Sequence, residues 1–291
     1  MKIQLFVLGF KALECLKSLS KESYDKITHI TIGHDKNIRY DYSDQIIQFC
    51  LKNEINYSER FDNKVTDANF LLAIGWRWLI DKHPDQKLIV FHDSLLPRYR
   101  GFNPLVTSLI NGDREIGVTA LFGTNEYDKG DIISQWKKQI EYPMKIQSAI
   151  EIVSRGYSKL FLDIFKKISE GKEFKGKPQD ERFATYSVWR DKEDYYIDWN
   201  QSSERIKRVV DALSFPYLSA RSRIECKEVL IEDVEVVNDL IIENRNVGKV
   251  LFNSNCIPIV ICGKGLLMVK KIFNSDREEL FFKDKLRIRF S

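Results

Sequence analysis

Hydrophobic positions fall into short apolar runs separated by longer amphipathic stretches through most of the chain. Lys2 to Gly9 reads as a first strand and Phe10 to Leu19 as the helix after it. Ile27 to Ile32 reads as a second strand, Tyr42 to Lys52 as a helix, and Phe70 to Gly75 as a third strand ending in GWRW. Short apolar runs bounded by turn residues have the length of buried strands, and this βα alternation predicts a doubly wound, mostly parallel sheet with helices on both faces. LIVF, Leu88 to Phe91, makes a further buried strand with His92 at its end. A loop punctuated by Pro97, Gly101 and Pro104 follows, then a helix-like run to Ile110 and a strand-like run from Gly117 to Phe122. Between Ile146 and Glu170 the spacing of Ile150, Val153, Tyr157, Leu160, Phe161 and Ile164 fits an amphipathic helix.

Past this helix the pattern changes. GKEFKGKPQDE, residues 171–181, reads as a surface turn leaving a first domain. Ser202 or Ser203 can cap a helix from Glu204 to Leu213. Val229 to Val237, Val247 to Phe252, Ile257 to Cys262 and Leu266 to Phe273 then alternate with turn residues, as short strands of a small β domain do. The expected division is residues 1–185 and 186–291, the second part being a helix plus that β domain.

Composition narrows the class. With 43% hydrophobic and 30% charged residues the chain has the make-up of a soluble globular protein. A net charge of +4 does not argue for nucleic acid, and it suits an anionic ligand. The five cysteines show no CxxC pairing and no His at metal-ligand spacing, so no metal is expected, and they read as reduced thiols of a cytoplasmic protein. No apolar run approaches the roughly 20 residues of a membrane span, and no signal-peptide cleavage pattern is present. One glycine after the first strand, in place of GxGxxG, encodes no dinucleotide phosphate turn.

Chemistry concentrates between Leu88 and Asp131. Open α/β sheets place their sites at strand ends, where His92 falls. An acidic, glycine-bearing loop with Asp128 and Asp131 follows the Gly117–Phe122 run, so a histidine and a carboxylate could meet there as a proton-handling pair. Asp131 competes with Asp128, although its GD-Ile context suits a cap or turn better. Arg98 and Arg100, in LLPRYRG, read as solvated charges or phosphate contacts, and guanidinium cannot serve as a base. Gly75 suits backbone that a flat ligand approaches closely. Trp199 and Tyr217 are candidates for stacking on a nucleotide, with core packing as the alternative reading of each.

The order of residues adds a resemblance. His-x-Ser-Leu-Leu-Pro-x-x-Arg-Gly from His92, Asn-Gly-Asp-x-x-x-Gly-Val-Thr from Asn111 and Tyr-Asp-x-Gly-Asp-Ile from Tyr127 resemble the N10-formyltetrahydrofolate-dependent formyltransferases. These include methionyl-tRNA formyltransferase and the sugar N-formyltransferases. The resemblance is specific from about Leu88 to Asp131, and looser elsewhere. It implies a Rossmann-like catalytic domain and a C-terminal, mainly β, OB-like domain, with YYIDW at Tyr195–Trp199 as the segment after the catalytic core. It places the catalytic His on His92 and the catalytic Asp on Asp128, while Val90 stands where the family carries an Asn. It further implies that Ile74, Gly75 and Trp76, with Phe122, Gly123, Tyr127 and Asp128, line the slot for N10-formyltetrahydrofolate. Three accounts of the missing amide stay open. Protonated His92 holds the oxyanion alone, Asn103 in GFNP supplies an amide, or the protein binds a related ligand with little catalysis.

GHDKNIRYDYSDQ, residues 33–45, is short and carries as much acid as base, where the tRNA enzymes typically carry a longer basic insertion. No basic patch for several phosphate contacts is visible. The expected activity is therefore sugar N-formylation of a nucleotide-linked amino sugar, for instance a 4-amino-4,6-dideoxyhexose derivative destined for surface glycans. No nucleic-acid or membrane partner is expected, and a homodimer is left open. The runner-up is methionyl-tRNA formylation, and a folate- or nucleotide-sugar-binding protein is the alternative of another class.

Overall fold

The computed structural model describes residues 1–60, 65–254, 256–282 and 287–291. They form two compact units, one of Met1–Leu105, Arg114–Ile140 and Ser148–Trp189, the other of Val106–Asp113, Glu141–Gln147 and Arg190–Ser291. No helix among the described residues is long and apolar enough to cross a membrane.

In the first unit the chain runs through β1 (Ile3–Val7), α1 (Gly9–Lys17), β2 (Ile27–Ile32), α2 (Ser43–Lys52), β3 (Tyr57–Glu59), β4 (Phe70–Ile74), β5 (Lys87–His92) and β6 (Arg100–Gly101). Helix α3 (Pro104–Asn111) begins in this unit and ends in the second. Next come β7 (Glu115–Phe122), β8 (Ile132–Gln139), α4 (Ile146–Ser169), whose first two residues belong to the second unit, and β9 (Tyr186–Ser187). A seven-stranded sheet has the order β3-β2-β1-β4-β5-β7-β8. Strands β3 to β5 are parallel, whereas β7 and β8 add antiparallel. The expected mostly parallel sheet is present, with an antiparallel edge. Strand β8, IISQWKKQ, was not expected, because an exposed edge strand lacks the apolar run that marks a buried one. Short β3, YSE, escapes notice for the same reason.

Strand order reverses between β1 and β4, and there the chain closes on itself. Leu8 N–H donates to Ile74 O at 3.0 Å. Gly75 has φ +65°, and a Cβ on it would stand 2.6 Å from Leu8 O. The glycine is therefore demanded by a left-handed turn against backbone of its own chain, a different reason from the flat ligand expected.

The second unit holds α5 (Ser203–Leu213), β10 (Ala220–Ile224), β11 (Lys227–Val237), β12 (Val250–Ser254), β13 (Ile257–Ile261) and β14 (Leu266–Phe273). Ser202 is the N-cap of α5, its Oγ accepting from Arg205 N–H at 3.3 Å. The strands form an antiparallel sheet in the order β10-β11-β14-β13-β12. Its two edges are joined through the C-terminal residues: Ile224 bridges Phe290, Lys249 bridges Arg289, and Val250 N–H donates to Ile288 O. The C-terminal residues thus bridge the ends of the two edge strands. Strand β12 begins at Val250, later than the expected Val247, because Gly248 turns at φ +78° with no room for a Cβ beside Phe290 O.

Candidate active site

Strand β5 lies inside the sheet, between β4 and β7. Its side chains alternate. Phe91 packs against Tyr157 and Phe161 of α4, at ring separations of 6.0 and 6.2 Å. Val90 and His92 share the opposite face, His92 being 7% exposed and Val90 half-buried. His92 pairs across the ladder with Thr119 of β7. Thr119 Oγ1 donates to Ser94 O (2.6 Å) and accepts from Leu96 N–H (3.1 Å) and Gln135 Nε2 (2.9 Å). Ser94 Oγ then donates to Arg98 O at 2.6 Å. This network holds the loop after β5 in a shape that returns Tyr99 O to within 2.8 Å of His92 Nε2. A carbonyl can only accept, so neutral imidazole carries its proton on Nε2 and Nδ1 is the basic nitrogen. Nδ1 stands 3.4 Å from Asp128 Oδ1, longer than a well-formed hydrogen bond, and both side chains are about nine-tenths buried.

Asp128 is clamped at several points. Its backbone is left-handed at φ +56°. Oδ2 accepts from Gly101 N–H at 2.8 Å, and its carbonyl accepts from Gln179 Nε2 at 2.7 Å. The same Nε2 also reaches Gly130 O at 2.8 Å. A Cβ at Gly130 would fall 1.7 Å from Phe122 O, so no side chain is tolerated where this loop closes. Asp131, the competing carboxylate, is exposed, and its carbonyl accepts from Phe122 N–H.

Arg100 departs from the expectation of a solvated or phosphate-binding charge, for its side chain is only 1% exposed. Its guanidinium bonds Gln179 Oε1 through Nε and Nη2 (3.1 and 2.9 Å) and Glu181 through Nη1 and Nη2 (2.9 and 2.7 Å). With the donors so engaged, Arg100 has none to spare for a substrate. It instead holds Gln179, which holds Asp128. Gln179 and Glu181 were not singled out in the sequence, for they lie in a stretch that reads as a surface turn, and Thr119 entered only as the last residue of the motif from Asn111.

The remaining candidates divide. Arg98 is exposed, its guanidinium 4.9 Å from the Tyr99 ring centre. Asn103 adopts φ +50° just before α3, two residues beyond Gly101. Gly123 N–H donates to Leu88 O at 2.8 Å, and Tyr127 is 51% exposed, its ring 5.8 Å from that of Phe102. Trp76 is a core ring, edge-on to Phe6 at 5.2 Å and to Trp78 at 4.9 Å, and so not a free platform. Trp199 and Tyr217 belong to the second unit. Trp199 is 4% exposed, spends Nε1 on Ser222 Oγ at 3.0 Å and packs on Phe290, so it cannot stack on a nucleotide. Tyr217 sits half-buried in the turn after α5, its N–H bonded to Ser214 O.

On the far side of His92, Asp93 pairs with Lys11 of α1 and accepts from Tyr157 Oη of α4. Burial by itself would raise the Asp93 pKa, but Lys11 and the Tyr157 hydroxyl outweigh it and hold the carboxyl below its ordinary value. Burial, then Asp93, pushes the Tyr157 phenol well up. Among the described residues no group of three or more His, Cys, Asp or Glu side chains could hold a metal ion.

The chain matches the family model "Formyl transferase" over residues 62–153 and "Formyl transferase, C-terminal domain" over residues 190–287. Methionyl-tRNA formyltransferase of Borreliella burgdorferi (strain ZS7) is 31% identical over 193 residues, 66% of this chain and 61% of that protein. The chain thus spans about three fifths of that relative. The methionyl-tRNA formyltransferase of Borrelia garinii subsp. bavariensis is also 31% identical, over 97% of this chain and 93% of the relative. Among solved structures, the N-formyltransferase from Helicobacter canadensis in complex with folinic acid and dTDP-3-aminofucose shares the fold. Its TM-score is 0.70 at 17% identity, covering 93% of this chain and 99% of that one.

Proposed function

The chain belongs to the formyl transferase family, and from that premise we propose that it moves a formyl group from N10-formyltetrahydrofolate to the amine of a nucleotide-linked amino sugar. The observation that carries the chemistry is the buried His92–Asp128 pair at the end of β5, with Nδ1 as the basic nitrogen. In this reading Nδ1 takes the proton from the attacking amine and gives it to N10 of the folate as the bond from N10 to the formyl carbon breaks. Asp128 stabilises the imidazolium so formed, and the Tyr99 carbonyl keeps the ring in its tautomer. With Val90 in the strand, the developing oxyanion falls to the protonated ring or to Asn103.

The folate donor supplies the formyl group. Residues of the Gly123–Asp128 loop suit it, since the N–H groups of Asn125 and Tyr127 have no partner among the described residues and can meet a heteroaromatic acceptor. Ile74, Gly75 and Phe122 are the further proposed contacts.

Support for a sugar acceptor comes from residues 33–45. Asp35 pairs with Arg77, Asp41 accepts from Asp35 N–H and from Ser43, and His34 lies 3.5 Å from Asp41. Charges so paired offer little to an RNA backbone. The bound dTDP-3-aminofucose of the Helicobacter canadensis protein is in keeping with it. The two relatives at 31% identity favour the second reading, formylation of methionyl-tRNA. Mass spectrometry of a panel of dTDP- and UDP-linked amino sugars, and of methionyl-tRNA, each incubated with the donor, decides between them. A formylated sugar nucleotide is the expected product. Formyl-methionyl-tRNA without any sugar product would reverse the choice, and no product at all would leave a binding protein.

A further inference from the structure

The second unit contains a pocket of about 200 Å³ at the start of α5, lined among others by Arg190, Asp194, Tyr196, Asp198, Gln201 and Arg205. Several arginines of the chain have carboxylate acceptors: Arg100 has Glu181, Arg221 has Glu228, and Arg277 has Glu232. Arg190 and Arg205 line the pocket without such a partner. Arg190 Nε is buried and makes no hydrogen bond, and neither guanidinium has an ion pair among the described residues. A guanidinium stays charged and presents a planar fork of donors, so a pair of them left without acceptors is a set of donors waiting for an oxyanion.

The pocket's carboxylates do not answer them. Asp198 Oδ1 accepts from Asn200 N–H and Nδ2 (3.0 and 2.9 Å), and Oδ2 accepts from Gln201 Nε2 at 2.8 Å. Asp194 Oδ2 accepts from Asp191 N–H at 2.9 Å. Each accepts from its own turn, and neither forms an ion pair with Arg190 or Arg205 among the described residues. Arg205 lies in the first turn of α5, an 11-residue helix whose positive dipole end adds to the attraction for an anion.

We propose that this pocket binds the diphosphate group of a nucleoside diphosphate or of free pyrophosphate, gripped by Arg190 and Arg205. Its volume is below the roughly 300–1,000 Å³ of pockets that enclose a whole drug-sized ligand, so it takes the phosphates and leaves a nucleoside largely outside. The inference is independent of the formyl-transfer reading, because every residue in it belongs to the second unit.

Isothermal titration of the full chain with pyrophosphate, and separately with dTDP and UDP, tests it. Saturable binding is expected, weakened about tenfold or more in Arg190→Gln and in Arg205→Gln, the loss of a charge-assisted bond. Arg190→Lys, which keeps the charge and loses the fork, should fall between. Tighter binding of a nucleoside diphosphate than of pyrophosphate assigns the pocket to nucleotides, and the reverse order to the free anion; either upholds a diphosphate site. Absence of saturable binding, or binding that survives both glutamine variants with unchanged melting curves, overturns it. So would arginine variants that lose only affinity for tRNA while pyrophosphate never binds.

Discussion

The His92 ring is bonded at Nε2 to the Tyr99 carbonyl and turns Nδ1 towards Asp128, both side chains being about nine-tenths buried. His92→Asn removes the basic nitrogen and should lower formyl transfer about 10²–10⁴-fold, with the circular dichroism spectrum retained. Turnover within about tenfold of wild type would eliminate it as the proton carrier. Asp128→Asn keeps an oxygen for Gly101 N–H while deleting the charge, so turnover should fall with little change in melting temperature. A larger loss from Asp131→Asn would refute that assignment. Val90 gives a separate test. It shares a face with His92 and pairs with Ala73 and Leu121, both buried. If the oxyanion pocket has kept its shape, Val90→Asn finds a partner and raises turnover. If another donor has replaced the amide, the buried polar group costs roughly 1–3 kcal/mol and gives no gain in rate. Turnover and melting temperature, measured together, tell the two apart, and an Asn103→Ala variant with full activity would remove Asn103 as the donor.

Strand β5 ends where two helices hold it, and this anchoring sets how firmly His92 is aimed. Asp93 ties β5 to α1 through Lys11 and to α4 through Tyr157, whose hydroxyl also reaches Phe91 O at 3.1 Å. Asp93→Asn leaves Lys11 without its partner at a site where both side chains are less than a fifth exposed. Breaking such a pair costs on the order of 3 kcal/mol. A depressed native pKa means that the folded state binds fewer protons than the unfolded one. The stabilisation is therefore complete above the unfolded value of about 3.9 and disappears as pH falls through the native value. Acid titration of the melting temperature should show wild type losing its advantage over Asp93→Asn below about pH 4. Parallel curves for the two proteins would show that the pair contributes nothing. Recovery of part of the loss in the double variant Lys11→Met/Asp93→Asn would confirm that the unpaired lysine, and not a lost contact, is the cost.

At the scale of the molecule, 46 basic and 42 acidic side chains leave a charge of +4, and many are paired locally. A protein that neutralises several phosphates loses affinity steeply with salt. On the proposed sugar reading, association with tRNA should be weak at low salt and vanish at physiological ionic strength, whereas a nucleotide-linked amino sugar should protect against thermal unfolding. At a hundredfold excess over its dissociation constant that protection is about 2.7 kcal/mol. Submicromolar tRNA affinity that resists salt, without a shift from any sugar nucleotide, would overturn the sugar reading.

The largely apolar strands were legible in the sequence, because burial on both faces leaves its mark in most residues: β1, β2, β4 and β5 were each expected within a residue or two. His92 and Asp128 were legible too, through their spacing and the motifs around them. Edge strand β8 was not, nor β10, whose inward positions include the small polar Ser222. Tertiary structure alone decided the fate of several side chains. Arg100 and Arg98 stand two residues apart in one loop, yet one is buried on Glu181 and Gln179 and the other is exposed. Gly75 answers to Leu8, 67 positions away in the chain, and Gln179 reaches Asp128 from 51 positions away. Local sequence encodes which face of an element is apolar. Which polar groups meet depends on how distant segments fold back, and no short-range pattern records that distance.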